Sequence, residues 1–136
     1  MPKMIFINLP ITDLARSTAF YEALGGTKNP KFSDEISACM VLSEAIYVML
    51  LTHEKYRQFT SRPIADTHAF SAALIALSVD SSDEVNATID RAVAAGGQAD
   101  PNPEEDHGFM FGRSVQDPDG HVWEIFWMDP AKAGGA

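Results

Sequence analysis

The chain repeats itself. Ile5 to Gly26 runs as a strand-like stretch, Ile5-Phe6-Ile7-Asn8-Leu9-Pro10-Ile11-Thr12-Asp13, then a helical stretch, then Gly25-Gly26. Leu74 to Gly97 runs the same way, from Leu74-Ile75-Ala76-Leu77-Ser78-Val79-Asp80-Ser81-Ser82 through a helical stretch to Gly96-Gly97. An internal repeat limits a chain to architectures assembled from one supersecondary unit used more than once. With 136 residues there is room for two such units and about one domain. Neither unit alone covers both faces of its sheet, so the two are expected to pair into one curved body with a cleft.

Each half is legible locally. Asp13 caps the first helix, and Leu14, Ser17, Tyr21 and Leu24, widened by Phe20, form its buried stripe. Ser81 and Glu84 have capping-box spacing before the second helix, whose apolar face is Val85, Ile89, Ala92 and Val93. Gly25 and Gly96 supply the left-handed stops. Strands come next in both halves: 35–42 and 46–52 in the first, 108–115 and 121–127 in the second. Asp117-Pro118-Asp119-Gly120 turns the last pair, with Pro at the second position and Gly at the fourth. Residues 53–59 read as a short helix in the connecting segment, and Ala131 to Ala136 as a frayed tail.

Composition narrows function by exclusion. Hydrophobic residues make up 46% and charged residues 21%, a globular balance, and no run approaches the roughly 18 apolar residues of a membrane span. The N-terminal residues lack signal-peptide order. The lone Cys39 can form neither an internal disulfide nor a thiolate cluster, so a reducing cytoplasm is expected. A net charge of −9 without a basic run argues against nucleic acid and anionic membranes as partners.

Asp13-Leu14-Ala15-Arg16-Ser17, leading to Phe20-Tyr21 and Leu24-Gly25, together with Asp117-Pro118-Asp119-Gly120-His121-Val122-Trp123-Glu124, resembles the vicinal oxygen chelate superfamily of glyoxalase I, extradiol dioxygenases and bleomycin-resistance proteins. Asn8-Leu9-Pro10, Met49-Leu50-Leu51-Thr52 and Trp127-Met128-Asp129-Pro130 are similar to a bacterial branch of lactoylglutathione lyase-like proteins. The resemblance covers nearly the whole chain. It implies an α+β fold of paired βαβββ modules forming curved mixed sheets around a ligand cleft. A single domain then spans 1–130, with module one at about 4–52, a connector at 53–70, module two at about 71–129, and 131–136 as tail.

Metal-dependent members hold a divalent cation with one side chain from the first and last strand of each module. Carried over by position, those places fall on Phe6, Leu50, Leu74 and Glu124, with Met49 or Ile5 reached by a one-residue slip. A phenyl ring and two isobutyl groups have no lone pair, and one carboxylate does not hold Zn²⁺ or Fe²⁺. No metal or other cofactor is therefore expected. The alternative is a divalent ion held by a rerouted set drawn from the scattered His53, His68, His107 and His121, none of which is spaced as a zinc pair.

Glu124 is the candidate catalytic residue. Strand alternation puts Val122, Glu124 and Phe126 on one face and Trp123, Ile125 and Trp127 on the other. An unpaired carboxylate is costly to bury, so Glu124 either meets Arg113 or another donor or lines a wet cleft. Phe6, Asn8, Leu50, Leu74, Ala76 and Ser78 are expected to share its cleft-facing side. Arg113 reads as a solvent-facing edge residue, or as a carboxylate clamp or partner to Glu124. His121, which opens the last strand, reads as a surface residue or as a ligand contact.

These residues are compatible with two function classes. One is a lyase or isomerase acting on a carbonyl metabolite, with Glu124 moving a proton. The other is non-catalytic, metal-free sequestration of a small compound or antibiotic, a cationic one suiting the acidic charge. A homodimer is expected, because eight Phe, two Trp, three Tyr and six Met are many large apolar side chains for a small domain.

Overall fold

In a computed structural model the described residues are 2–133. They run as β1 (Ile5–Ile11), α1 (Leu14–Ala23), β2 (Thr27–Asn29), a 3₁₀ turn (Pro30–Phe32), β3 (Ser37–Val41), β4 (Ile46–Thr52) and α2 (His53–Tyr56). Then come β5 (Leu74–Ser78), α3 (Ser82–Ala94), β6 (Gln98–Ala99), β7 (Glu105–Asp106), β8 (Met110–Gln116), β9 (Val122–Met128) and α4 (Pro130–Ala133). The chain divides between Asp66 and Thr67 into two compact units.

The first unit carries a sheet in the order β1-β4-β3-β2, with β1 parallel to β4 and the other neighbours antiparallel. The second carries β5-β9-β8-β6, with β5 parallel to β9 and the short β7 also paired to β8. The two halves thus repeat one topology, in which the first strand returns beside the last and a helix makes the crossover. The fold is α+β with two mixed sheets, neither closed into a barrel.

Both helices start and stop as their sequences require. Asp13 Oδ1 accepts from the Arg16 N–H at 3.1 Å, and Ser81 Oγ accepts from the Glu84 N–H at 3.0 Å. At the far ends the Gly26 N–H reaches back to Tyr21 O at 2.8 Å and the Gly97 N–H to Ala92 O at 2.9 Å. These are matching Schellman closures, made possible by Gly25 at φ 112 and Gly96 at φ 104. Ser17, Phe20 and Tyr21 of α1 are fully buried. On α3 the buried set is Val85, Thr88, Ile89 and Ala92, whereas Val93, expected on that face, is 42% exposed. Thr88 takes the inward place because its hydroxyl has partners, accepting from Arg91 Nη2 at 3.2 Å. The Glu84 carboxylate runs along the helix to Arg91 at 3.3 Å.

The expected frayed tail begins instead with one helical turn, α4. Asp129 starts it by accepting from the Ala131 N–H at 3.0 Å, and the rest of that tail lies outside the described residues. The Asp117–Gly120 turn is held from within and from outside. Asp117, 2% exposed, accepts from the N–H groups of Asp119 and His121, each at 2.9 Å. Thr67 Oγ1 donates to Asp119 O at 2.6 Å, which brings the 67–68 backbone against the turn.

Gly120 is where that contact leaves no room. Its φ is 92, and a Cβ there would lie 2.7 Å from both His68 N and Thr67 C. Gly108, at φ 80, has nothing within 4 Å of such a Cβ. Urea denaturation should therefore show Gly108→Ala losing about 1 kcal/mol, the left-handed penalty alone. Gly120→Ala should lose roughly twice that or more, from penalty plus backbone clash. Equal losses at the two sites would contradict the packing of 67–68 on the turn.

Candidate functional site

The site is built on β9. Trp123 and Ile125 are fully buried, and Ile125 lies opposite Arg113, whose guanidinium reaches Asn86 on α3. That face of the sheet is therefore the helix side. Glu124 alternates to the opposite face. Its cross-strand neighbours there are Ala76 on β5 and Ser114 on β8. A pocket of about 280 Å³ opens over this floor. Glu124, Ala76, Gly112 and Ser114 form its base, Met110, Phe126 and Met128 its apolar side, and Pro103 and Glu105 a wall.

Glycine at 112 contributes space. A Cβ there would make ordinary contact with Phe126 Cβ at 3.4 Å, and a longer side chain would extend over the floor. Ser114 is 2% exposed and its hydroxyl is engaged, accepting from the Asn102 N–H at 3.0 Å and donating to Asn102 O at 3.3 Å. The polar group free to meet a ligand on this floor is thus the Glu124 carboxylate, half-buried between Ala76 and Ser114.

Arg113 is not the partner of Glu124. Its Nε and Nη2 grip Asp100 Oδ1 and Oδ2 at 3.1 and 2.8 Å, and its Nη1 donates to Asn86 Oδ1 at 2.9 Å. The reason is parity: Arg113 faces Ile125 across the ladder, while Glu124 faces Ser114. Nor is it a solvent-facing edge residue, with 18% of its side chain accessible. The Arg113 guanidinium holds the Asp100 carboxyl below the ordinary carboxylate value, its hydrogen bonds outweighing the opposing effect of burial.

His121 also departs from expectation. It is 7% exposed rather than a surface residue, because its backbone closes the Asp117 turn. It sits on the Trp123 side of the alternation and is absent from the pocket lining. Leu74 shares the Glu124 face but lies beyond the lining, 55% exposed on the edge strand β5.

In the first unit, register overturns one placement. Phe6 pairs with Tyr47 and Asn8 with Met49, whereas Leu50 pairs with Leu9. Phe6 stacks on Tyr47 with ring centroids 4.5 Å apart, and Asn8 Nδ2 donates to Phe6 O at 3.5 Å. Leu50 is fully buried on the other face, with Val48 and the cross-strand Ala38, so it belongs to the core. The residue sharing the face of Phe6 and Asn8 is Met49. The second unit supports the same count: Leu74 pairs with Val122, two residues before Glu124, and Phe6 with Tyr47, two before Met49.

With that register, the four places to which the resemblance assigns metal ligands are Phe6, Met49, Leu74 and Glu124. One carboxylate and one soft thioether do not make a site for Zn²⁺, Fe²⁺ or Mg²⁺. Among the described residues no three His, Cys, Asp or Glu side chains group so as to hold a metal ion. The residues do not fit the superfamily's divalent metal.

Two units of one βαβββ topology, with a pocket on the open face of the second, define the class: an α+β protein of repeated modules with a small-molecule-sized site. The chain belongs to the Glyoxalase/Bleomycin resistance protein/Dioxygenase superfamily, whose family model matches residues 3–125. No curated protein matches it. Among solved structures, a glyoxalase-related enzyme from Fulvimarina pelagi is 25% identical with a TM-score of 0.76, covering 93% of this chain and 88% of its own. A glyoxalase/bleomycin resistance protein/dioxygenase family enzyme from Burkholderia phytofirmans PsJN is 20% identical with a TM-score of 0.74, over 93% and 99%. A fosfomycin resistance protein, FosX, from Mesorhizobium loti is 14% identical with a TM-score of 0.67, over 98% of both chains.

The Asp100–Arg113 pair makes an acid-limb prediction. A carboxyl whose folded pKa is depressed contributes stability above its unfolded value, here the ordinary 3.8, and that contribution is lost as pH falls through the folded value. Arg113→Met should therefore destabilise equally at pH 7 and pH 5. Its cost should shrink at pH values below 3.8, where the unpaired Asp100 is neutral. Denaturant midpoints of both proteins across that range check it.

Proposed function

We propose that this protein binds a small, largely apolar, cationic compound on Glu124 without a metal ion, and that sequestration is its activity. The supporting observation is the charge inventory of the pocket. Glu124 sits on an apolar floor and Glu105 in the wall, while Arg113, alone cationic among the lining residues, has its guanidinium engaged with Asp100 and Asn86. A buried-side carboxylate beside Met110, Phe126 and Met128 suits a ligand with an ammonium head and a hydrocarbon or aromatic body. It disfavours anions, which would meet the Glu124 carboxylate and no free cation in the lining, Glu105 being paired with His107 at 3.5 Å.

The same geometry supports a second reading more weakly. A half-buried carboxylate over a pocket is a competent general base for a lyase or isomerase acting on a carbonyl compound. Such chemistry also needs a donor for the developing oxyanion, and the hydroxyl nearest Glu124 in register, that of Ser114, is engaged with Asn102. Turnover of an α-keto substrate that persists after exhaustive chelation would favour this reading over sequestration.

Benzyltrimethylammonium is a suitable probe, small enough for about 280 Å³. Calorimetric titration should show binding to the wild type, unchanged after dialysis against EDTA, and weakened by about tenfold or more in Glu124→Gln. Fosfomycin, an anionic phosphonate, should not bind. Binding that ignores Glu124→Gln, or that is lost on chelation and restored by Zn²⁺, would remove the proposal. We also propose a homodimer, which would cover exposed apolar side chains of each unit, Phe6 in the first and Leu74 and Phe109 in the second. Sedimentation of a 14.8 kDa species at micromolar concentration would refute that.

A further inference from the structure

Asp100 has the only positive φ of any non-glycine residue among those described, at 56. A left-handed aspartate is an uncommon conformation, and it persists only when its surroundings over-determine it. Three contacts do so. Its N–H donates to Ser114 O at 2.8 Å, and its two carboxylate oxygens take the fork of Arg113 at 3.1 and 2.8 Å. Arg113 is in turn anchored to α3 through Asn86 at 2.9 Å.

Beyond Asp100 the chain forms the pocket wall. Asn102 is tied by both its N–H and its C=O to the Ser114 hydroxyl, on the strand that floors the pocket. Pro103 and Glu105 then line the pocket, and β7 pairs Glu105 with Gly112 and Asp106 with Phe111. Pairing over two residues is too short to hold itself. The His107 N–H to Met110 O bond, 2.9 Å, closes the return into β8. The segment is thus fastened at its exit by a short turn and at its entrance by the Arg113 fork. Of its tethers, the fork alone reaches a helix.

We propose that Arg113 is a positioning residue: from the helix side of the sheet it holds Asp100, and through Asp100 it sets the 102–106 wall over Glu124. This rests on reading the pocket as the ligand site. It assigns a role to a lining residue whose guanidinium is engaged with Asp100 and Asn86, and gives the strained Asp100 a purpose. The fork geometry explains why the residue is Arg, since Lys cannot span both carboxylate oxygens and Asn86 together.

Two variants separate positioning from general support of the fold. Arg113→Met removes the fork and keeps the aliphatic stem. Asp100→Gly removes the carboxylate but suits a positive φ, so it relieves the strain while cutting the tether. Amide hydrogen exchange should speed by about tenfold or more at Asn102 and His107 in both variants, with the β9 amides of Trp123 and Ile125 unchanged. Benzyltrimethylammonium affinity should fall by about fivefold or more in both, and Arg113→Lys should fall between them and the wild type. Unchanged exchange at Asn102 and His107 overturns the proposal. So does a uniform rise that includes β9, which would mark Arg113 as a fold-wide support. Faster exchange at the wall with full affinity also overturns it, because the wall would then not belong to the site. A wild type that does not bind the probe at all would instead count against the proposed function, and the exchange data would still decide whether the fork holds the wall.

Discussion

The burial of Trp123 and Ile125 under α3 decides where Glu124 points. Each side chain is fully buried, worth roughly 1.5–3 kcal/mol for an aliphatic residue and more for an indole. A one-residue slip of β9 would expose both and drive a carboxylate into the core, where an unpaired charge costs several kcal/mol. The two penalties have the same sign, so the register of β9 between β5 and β8 has no close competitor. Glu124 reaches the open face as a consequence of core packing, and the pocket exists because Gly112, Ala76 and Ser114 beside it are small.

The two units share a frame and differ in what they put on it. In both, the first strand lies parallel to the last, a capped helix crosses over, and a Schellman glycine ends that helix. At matching ladder positions the first unit has Asn8 against Met49 and the second Ala76 against Glu124. Phe6 stacks on Tyr47 at the ladder position where the second unit pairs Leu74 with Val122. Of the places to which the resemblance assigns metal ligands, the second unit has a carboxylate at Glu124, in register with Ala76 and Ser114. The superfamily's architecture carries over to this chain, while Phe6, Met49 and Leu74 offer no oxygen or nitrogen donor.

Arg113 connects the two faces of the second sheet. A cation near a pocket is commonly read as a ligand for anions, and the sequence context, Phe111-Gly112-Arg113-Ser114, gives no sign to the contrary. Parity sends it behind the sheet, where Asp100 and Asn86 satisfy it. Arg113 lines the pocket, but its guanidinium is engaged with Asp100 and Asn86, and its grip on Asp100 holds the entrance of the wall that Glu105 stands on.

Local sequence determined the parts whose causes lie within a few residues. Asp13 and Ser81 cap helices by bonds spanning three positions, Gly25 and Gly96 stop them by their own φ, and Asp117-Pro118-Asp119-Gly120 turns by its own backbone. Glu124 could be placed because it is the one polar residue of β9, and a charge marks which face of the strand avoids the core. β4 could not be read in that way: Ile46-Tyr47-Val48-Met49-Leu50-Leu51 is apolar at every step, so nothing in it tells Met49 from Leu50. Only pairing with β1 and β3 put Leu50 in the core and Met49 beside Asn8. The same holds for His121, buried by a turn, and for Arg113, whose partners stand far along the chain in an irregular loop and on a helix. Periodicity and capping are properties of neighbours in sequence; which face a uniformly apolar strand presents, and which acid a lone cation finds, are settled by contacts that exist only once the sheet has formed.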